Sequence, residues 1–180
     1  RHTRFRNVTG VQTCALPIYL HRETEGEILF ATITKSTTGK YYVSITCEVN
    51  YKPFDKTGSK VGIDTGIKDL AILSDGKTYE NIKVLKSKLK KLKYRQRQLS
   101  KKQKGSNSRQ KQKIKLSLTH EKITNIRKDY LHKISTEIVK NHDIISVEDL
   151  SVKNMMKNHK LAQSLSDVSL GMFYTMLEYK

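Results

Sequence analysis

Acidic residues are scarce in this chain. Of its 180 residues, 17 are Asp or Glu against 35 Lys or Arg, a formal net charge of +18. That excess is more than solubility requires and points to a polyanionic partner, nucleic acid or an anionic membrane surface. Tryptophan is missing and proline occurs only twice, while apolar residues make up 36%. A packed core is therefore expected to be local to certain segments. No stretch of eighteen apolar residues exists, which excludes a spanning helix. The basic start followed by "CALPIYL" is too short and poorly flanked for a secretion signal. Two cysteines exclude a disulfide framework, and no CxxC pair provides a metal knuckle. The expected setting is a reducing, intracellular one, with no membrane.

One stretch departs from the rest. "VTGVQTCALPI", residues 8–18, is nearly charge-free and fits no helix or strand period. It resembles, over eleven consecutive positions, a common sequencing-library adapter translated in frame. Residues 1–19 are accordingly expected to be a non-native artefact, which leaves Cys14 without meaning and suggests a cut gene.

Beyond residue 26 the chain is patterned. "EILFATIT" (27–34) and "YYVSITCEV" (41–49) are β-branched and aromatic runs joined by "KSTTGK", a hairpin signature. Cys47 within the second run reads as a small core residue. "NYKPFDKTGSK" reads as a linker. "KVGIDTGIKDLAILSDGKTYE" (60–80) predicts a three-stranded meander with strands at Val61–Asp64, Leu70–Leu73 and Lys77–Tyr79. From Asn81 the period changes. Ile82, Leu85, Leu89, Leu92 and Leu99 form a heptad-like seam, and "KGSNSRQ" (104–110) interrupts it. A second seam runs through Ile114, Leu118, Ile123, Ile126, Tyr130, Ile134 and Ile138. The pattern predicts two long antiparallel helices over 81–141. "HDIISVEDL" (142–150) predicts a buried strand, residues 151–167 a loop, and "VSLGMFYTMLEYK" an amphipathic helix.

Charge is concentrated in the helical pair. Lys86 to Lys128 carries seventeen basic residues and one acid, Glu121. A solvated face normally mixes signs for i,i+4 pairing. Cations this dense repel unless a polyanion neutralises them, and phosphate backbone does so by releasing counterions. The candidate contacts are Lys86, Lys90, Lys93, Arg95, Arg97, Lys101, Lys102, Lys104, Arg109, Lys111, Lys113 and Arg127. No base-reading pattern accompanies them, so backbone tracking is expected.

Two carboxylates end separate apolar strands. Asp64 sits in "GIDTG" and Glu148 in "SVEDL". On adjacent strands they could converge, and hard divalent cations bind such oxygen ligands. Two cations about 4 Å apart catalyse phosphodiester cleavage in many nucleases, although a pair needs more than two acids. Taken singly, Asp64 also suits a turn or cap and Glu148–Asp149 a loop cap. Asp149 points the other way on a strand and ranks below Glu148. Asp69 and Asp75 read as turn acids, and the six histidines lack ligand spacing, with His120 and His132 on the basic helix expected at the surface or beside phosphate.

These residues resemble the TnpB (OrfB) proteins of bacterial insertion sequences, transposon-encoded relatives of miniature type V CRISPR nucleases. "GID.G.K", "R.D.LHK.S", "VEDL.VK.M.KN..LA.S..D" and "LEYK" occur in order, and the resemblance covers about Gly26 to Lys180. It implies an α/β fold: a partial RuvC-type, ribonuclease-H-like domain at 57–180 with the basic helical hairpin inserted at 81–141. Residues 20–56 would be the tail of a guide-binding, barrel-like domain. It implies RNA-guided DNA cleavage, with guide RNA and target DNA as partners and Mg²⁺ or Mn²⁺ as cofactor. Asp64 matches the family's first catalytic and metal-binding acid and Glu148 the second. The family's third Asp and its zinc ribbon lie beyond "LEYK" and are absent here, so an inactive fragment cut at both ends is expected. The alternative is a non-catalytic RNA- or DNA-binding module. An actin-like phosphotransferase shares the Asp-x-Gly turn, but no second Gly-rich loop or adenosine motif accompanies it.

Overall fold

The computed structural model describes residues 3–5, 25–50 and 53–180. Apart from Thr3–Phe5, the stretch read as an artefact lies outside them, Cys14 included. The chain divides into two compact units at Pro53/Phe54.

The first unit is an antiparallel sheet ordered β1 (Thr3–Phe5), β2 (Glu27–Lys35), β3 (Tyr41–Glu48). The expected hairpin turn forms at Ser36–Lys40. Gly39 adopts a left-handed φ of 86°, and the Ser36 hydroxyl accepts the Lys40 N–H at 3.1 Å. Ile28, Leu29, Ile33, Tyr41, Tyr42 and Val43 remain exposed. Neighbours in sequence point to opposite faces, so both faces keep apolar surface. Cys47 is half-buried and free, not the core residue that its run suggests.

The second unit is mixed α/β. Its sheet runs β6 (Thr78–Glu80), β5 (Asp69–Leu73), β4 (Lys60–Thr65), β7 (Ile144–Val147). The first three are the expected antiparallel meander, and β7 returns parallel to β4. Asp75 does act in the meander's turn, where its carboxylate accepts the Lys77 N–H at 2.9 Å. Between β6 and β7 rise α1 (Val84–Ser100) and α2 (Asn107–Asn141), packed as a hairpin. The interruption sits earlier than residues 104–110. Ser106 caps α2 by accepting the Arg109 N–H at 3.2 Å, so 107–110 are already helical.

The core lies on one face of this sheet. Val61, Ile63, Leu70 and Leu73 pack against Leu131, Ile134 and Ile138 of α2 and against Leu165, Leu170 and Phe173. Ile63 and Val61 alternate inward along β4, as a half-buried strand requires. Three expectations fail. Residues 151–167 are not a loop but carry α3 (Val152–Met155) and α4 (His159–Val168), whose Leu165 and Val168 are buried. A left-handed Ser169 (φ 59°) then separates α4 from α5 (Leu170–Glu178). β7 is not the buried strand that its apolar run suggests. It lies at the edge of the sheet, and only Ile145 is half-buried against the core. Along α2 the predicted seam drifts off the packed face. Ile114, Leu118 and Ile126 are exposed, while Leu131, absent from that seam, is 1% exposed. A strict heptad stripe rotates relative to a straight helix over this length.

Within the segment read as a linker, Thr57 and Gly58 are held by Asp143. The Asp143 carboxylate accepts the Thr57 and Gly58 N–H groups at 2.9 and 2.7 Å and the Thr57 hydroxyl at 3.0 Å. The backbone bonds from Thr57 and Gly58, first of all, hold its carboxyl below the ordinary value of 3.8. A carboxyl lowered in the folded state stabilises the fold above its ordinary pKa and loses that contribution as pH falls through the lowered one. Part of the acid sensitivity below about pH 4 is therefore expected to vanish in Asp143→Asn. Urea midpoints on either side of that pH should converge in the variant relative to the unaltered chain.

Candidate active cleft and basic hairpin

β4 and β7 run in register, Gly62 beside Ser146 and Ile63 beside Val147. The next residues along are Asp64, still in β4, and Glu148, just beyond the end of β7. Adjacent strands are about 4.8 Å apart. Val61, Ile63 and Thr65 face the core, so Gly62 and Asp64 face away from it, and Asp64 is exposed. Asp64 pairs with Ile72 inside the ladder and is therefore a strand residue, neither turn nor cap. Both carboxylates line one open cleft of about 450 Å³, with Gly62, Ile72, Ser74 and Ser146.

The flanking glycines differ in purpose. A Cβ on Gly62 would meet nothing nearer than Ser74 at 3.9 Å, and the bare position leaves the cleft floor open. A Cβ on Gly66 would crowd the Asp69 carbonyl at 3.2 Å, so this glycine serves the turn. Ser74 braces the floor: the Gly62 N–H donates to its hydroxyl at 3.1 Å, and its own N–H donates to the Gly62 carbonyl at 2.9 Å. Beneath, Thr65 and Tyr174 of α5 share a 2.6 Å hydroxyl hydrogen bond, which ties the end of β4 to the helical layer. Glu148 also borders a second cavity of about 310 Å³ with Asp149, Tyr174 and Glu178. Among the described residues no group of three or more His, Cys, Asp or Glu side chains could hold a metal ion. The cleft thus presents two carboxylates and two serine hydroxyls, hard oxygen donors of the kind Mg²⁺ and Mn²⁺ accept, but a partial set.

The hairpin sorts its cations. Lys86, Lys90, Lys93, Arg97, Lys101, Lys102, Lys104, Lys111 and Lys113 are exposed. Three arginines of the expected contact set are instead occupied by the protein. Arg95 donates to the Lys115 carbonyl across the hairpin. Arg109 donates to the Leu99 and Lys102 carbonyls at 2.9 and 2.8 Å and so closes the end of α1. Arg127 pairs with Asp167 at 3.2 Å, with side chains 16% and 6% exposed. A guanidinium fork matches carbonyl and carboxylate acceptors, whereas lysine acts as a mobile point charge, so these three arginines are drawn into structure while Arg97 is exposed.

Asp167 is the residue that sequence reasoning missed. It is buried in α4 and accepts the Leu85 and Lys86 N–H groups at 2.8 and 3.0 Å. Lys83 precedes α1 in a left-handed conformation (φ 44°) and provides no cap of its own. Asp167 thus caps α1 from another helix, opposes the positive end of its dipole and neutralises Arg127. A single acid between Leu165 and Val168 was the available signal.

A family model for OrfB_IS605, "Probable transposase", matches residues 43–159. The chain belongs to this family. The matched span holds Asp64, Glu148 and both helices of the hairpin. Two curated relatives bear the name "Putative RNA-guided DNA endonuclease", the second with the suffix InsQ. One, from Streptomyces pristinaespiralis, is 40% identical over 83% of this chain and 37% of its own length. The other, from Escherichia coli K12, is 45% identical over 76% of this chain and 34% of its own. A Mycobacterium tuberculosis relative is 30% identical over 68% of this chain and 29% of its own. The chain spans about a third of the length of these relatives of the TnpB/OrfB type. Among the described residues no helix is long and apolar enough to cross a membrane.

Proposed function

We propose that this OrfB chain forms part of an RNA-guided DNA endonuclease with a RuvC-type, ribonuclease-H-like core. The observation that carries the proposal is the in-register parallel pairing of β4 with β7, which puts Asp64 and Glu148 on one cleft. Asp64 and Glu148 would hold a divalent cation, Mg²⁺ or Mn²⁺, which supplies Lewis acidity toward a phosphodiester when bound. Gly62 leaves room for a phosphate beside the carboxylates, and the Ser74 and Ser146 hydroxyls can donate to its oxygens. The Thr65–Tyr174 bond holds the strand end that aims Asp64. The basic hairpin would contact guide RNA or target DNA through its exposed lysines.

With two acids at the cleft, residues 1–180 alone are expected to bind polynucleotide without cutting it. The test is Asp64→Ala in a chain extended to the length of its relatives. Loss of cutting with RNA binding retained supports the nuclease. Cutting at the original rate overturns it. The partial donor set favours a second reading for the isolated chain, a binding module without chemistry.

A further inference from the structure

The ladder between β4 and β7 stops one residue short of the acids. Its last pair is Ile63 with Val147. On its other side β4 stays paired through Asp64–Ile72 and Thr65–Ala71, so Asp64 is held by β5 rather than by β7. The backbone after β7 turns at once. The Leu150 N–H donates to the Glu148 carbonyl at 3.0 Å, and the Val152 N–H to the Leu150 carbonyl at 2.8 Å. Pairing of β4 with β7 therefore does not set the span between the Asp64 and Glu148 carboxylates.

Tyr174 stands where the ladder stops. Its hydroxyl shares the 2.6 Å bond with that of Thr65, the buried last residue of β4. It also borders the cavity of about 310 Å³ together with Val147, Glu148 and Leu150, on the β7 side. α5 supports it firmly. Leu170, Phe173 and Met176 are buried in the core, and the Phe173 and Tyr174 ring centres lie 6.3 Å apart. Just past α5, the Lys180 ammonium donates to the His132 carbonyl and the Ser135 and Thr136 hydroxyls of α2, at 2.9, 2.8 and 2.6 Å. Neighbouring residues of a strand face opposite sides. A Thr65 side chain fixed on the core face thus fixes the direction in which Asp64 leaves the other.

We propose that Tyr174 is a positioning residue for the acid pair: from α5 it sets the span across which Asp64 and Glu148 take one divalent cation. The inference rests on the proposed function and deepens it, since it gives a role to a side chain that does not line the cleft. Groups that orient metal ligands from behind are worth about 10–100-fold in metal affinity or activity.

Removing one hydroxyl of a buried pair strands the other, whereas removing both is nearly neutral for stability. That difference separates positioning from packing. Thr65→Val and Tyr174→Phe are made singly and together, in the 180-residue chain and in a chain extended to the length of its relatives, with Asp64→Asn as reference. Mn²⁺ binding is read from loss of the free-ion paramagnetic resonance signal, and folding from thermal melting. Each single variant is expected to melt lower, and the double to recover most of that loss. For the binding that Asp64→Asn removes, half-saturating Mn²⁺ is expected to stay raised about tenfold in the double. The extended double variant should need about tenfold more Mg²⁺ for half-maximal cutting, and excess Mg²⁺ should restore most of the rate. Mn²⁺ affinity that recovers together with the melting temperature would make Tyr174 a packing residue and overturn the proposal. Should the double variant fail to fold, Tyr174→Phe alone carries the test, and unchanged Mn²⁺ affinity there overturns it. If Asp64→Asn alters neither Mn²⁺ binding nor cutting, the acid pair falls and the positioning role with it. If Asp64→Asn abolishes both while the hydroxyl variants change neither, only the positioning role falls.

Discussion

Glu148→Gln in a chain extended to the length of its relatives is expected to lower phosphodiester cleavage by about 10²–10³-fold or more, the loss seen when one preorganised electrostatic group is removed. The substitution keeps the size of the side chain and removes only its charge. Glu148 is exposed at the lip of the cleft and packs into no core, so folding should be unaffected. Binding of guide RNA should persist, because the hairpin lysines stand on separate elements. Asp64→Asn should behave alike. Their combination should cost little more than either alone, since groups that act as a unit are not additive. Full cleavage by either single variant, at saturating Mg²⁺, would remove the carboxylate pair from the mechanism.

Asp167→Ala is expected to destabilise the second unit by about 3–5 kcal/mol, because it leaves the Arg127 cation buried without its partner. The figure includes the two N–H groups of α1 that lose their acceptor. A loss of that size should lower the melting temperature on the order of 10 °C for a unit of this length. Asp167→Asn keeps an acceptor and should lose less. Adding Arg127→Met to Asp167→Ala should restore part of the stability, since the stranded charge goes with it. A shift under about 1 kcal/mol for Asp167→Ala, typical of an exposed pair, would refute the buried clasp.

Local pattern makes much of the fold legible. The short apolar runs in "KVGID" and "DLAIL" are strand signals, and β4 and β5 form there with Val61, Ile63 and Leu73 inward. The leucine steps of α1 match its packed stripe, since a short helix keeps phase with its repeat. Longer range defeats the same logic. On α2, Ile126 is expected in the seam but Leu131 fills the core, because the distal half meets α1 and the proximal half meets the sheet. The polar stretch before α5 hides α4, whose apolar face is narrow. Arg95, Arg109 and Arg127 look equivalent to the lysines because composition does not show which carbonyls or carboxylates lie nearby.

By itself, the sequence determined that this is a strongly basic chain with acid-tipped strands, a lysine-rich helical pair and motifs of the OrfB type. Those properties reside in residue identity and short-range spacing. Only the tertiary structure decided that Asp64 and Glu148 share a cleft, and that Asp167 caps a helix eighty positions away in the chain. The reason is that strand register and buried ion pairs are fixed by contacts between distant segments. A slip of one residue between β4 and β7 would turn one carboxylate to the core face and leave every local pattern in the sequence unchanged.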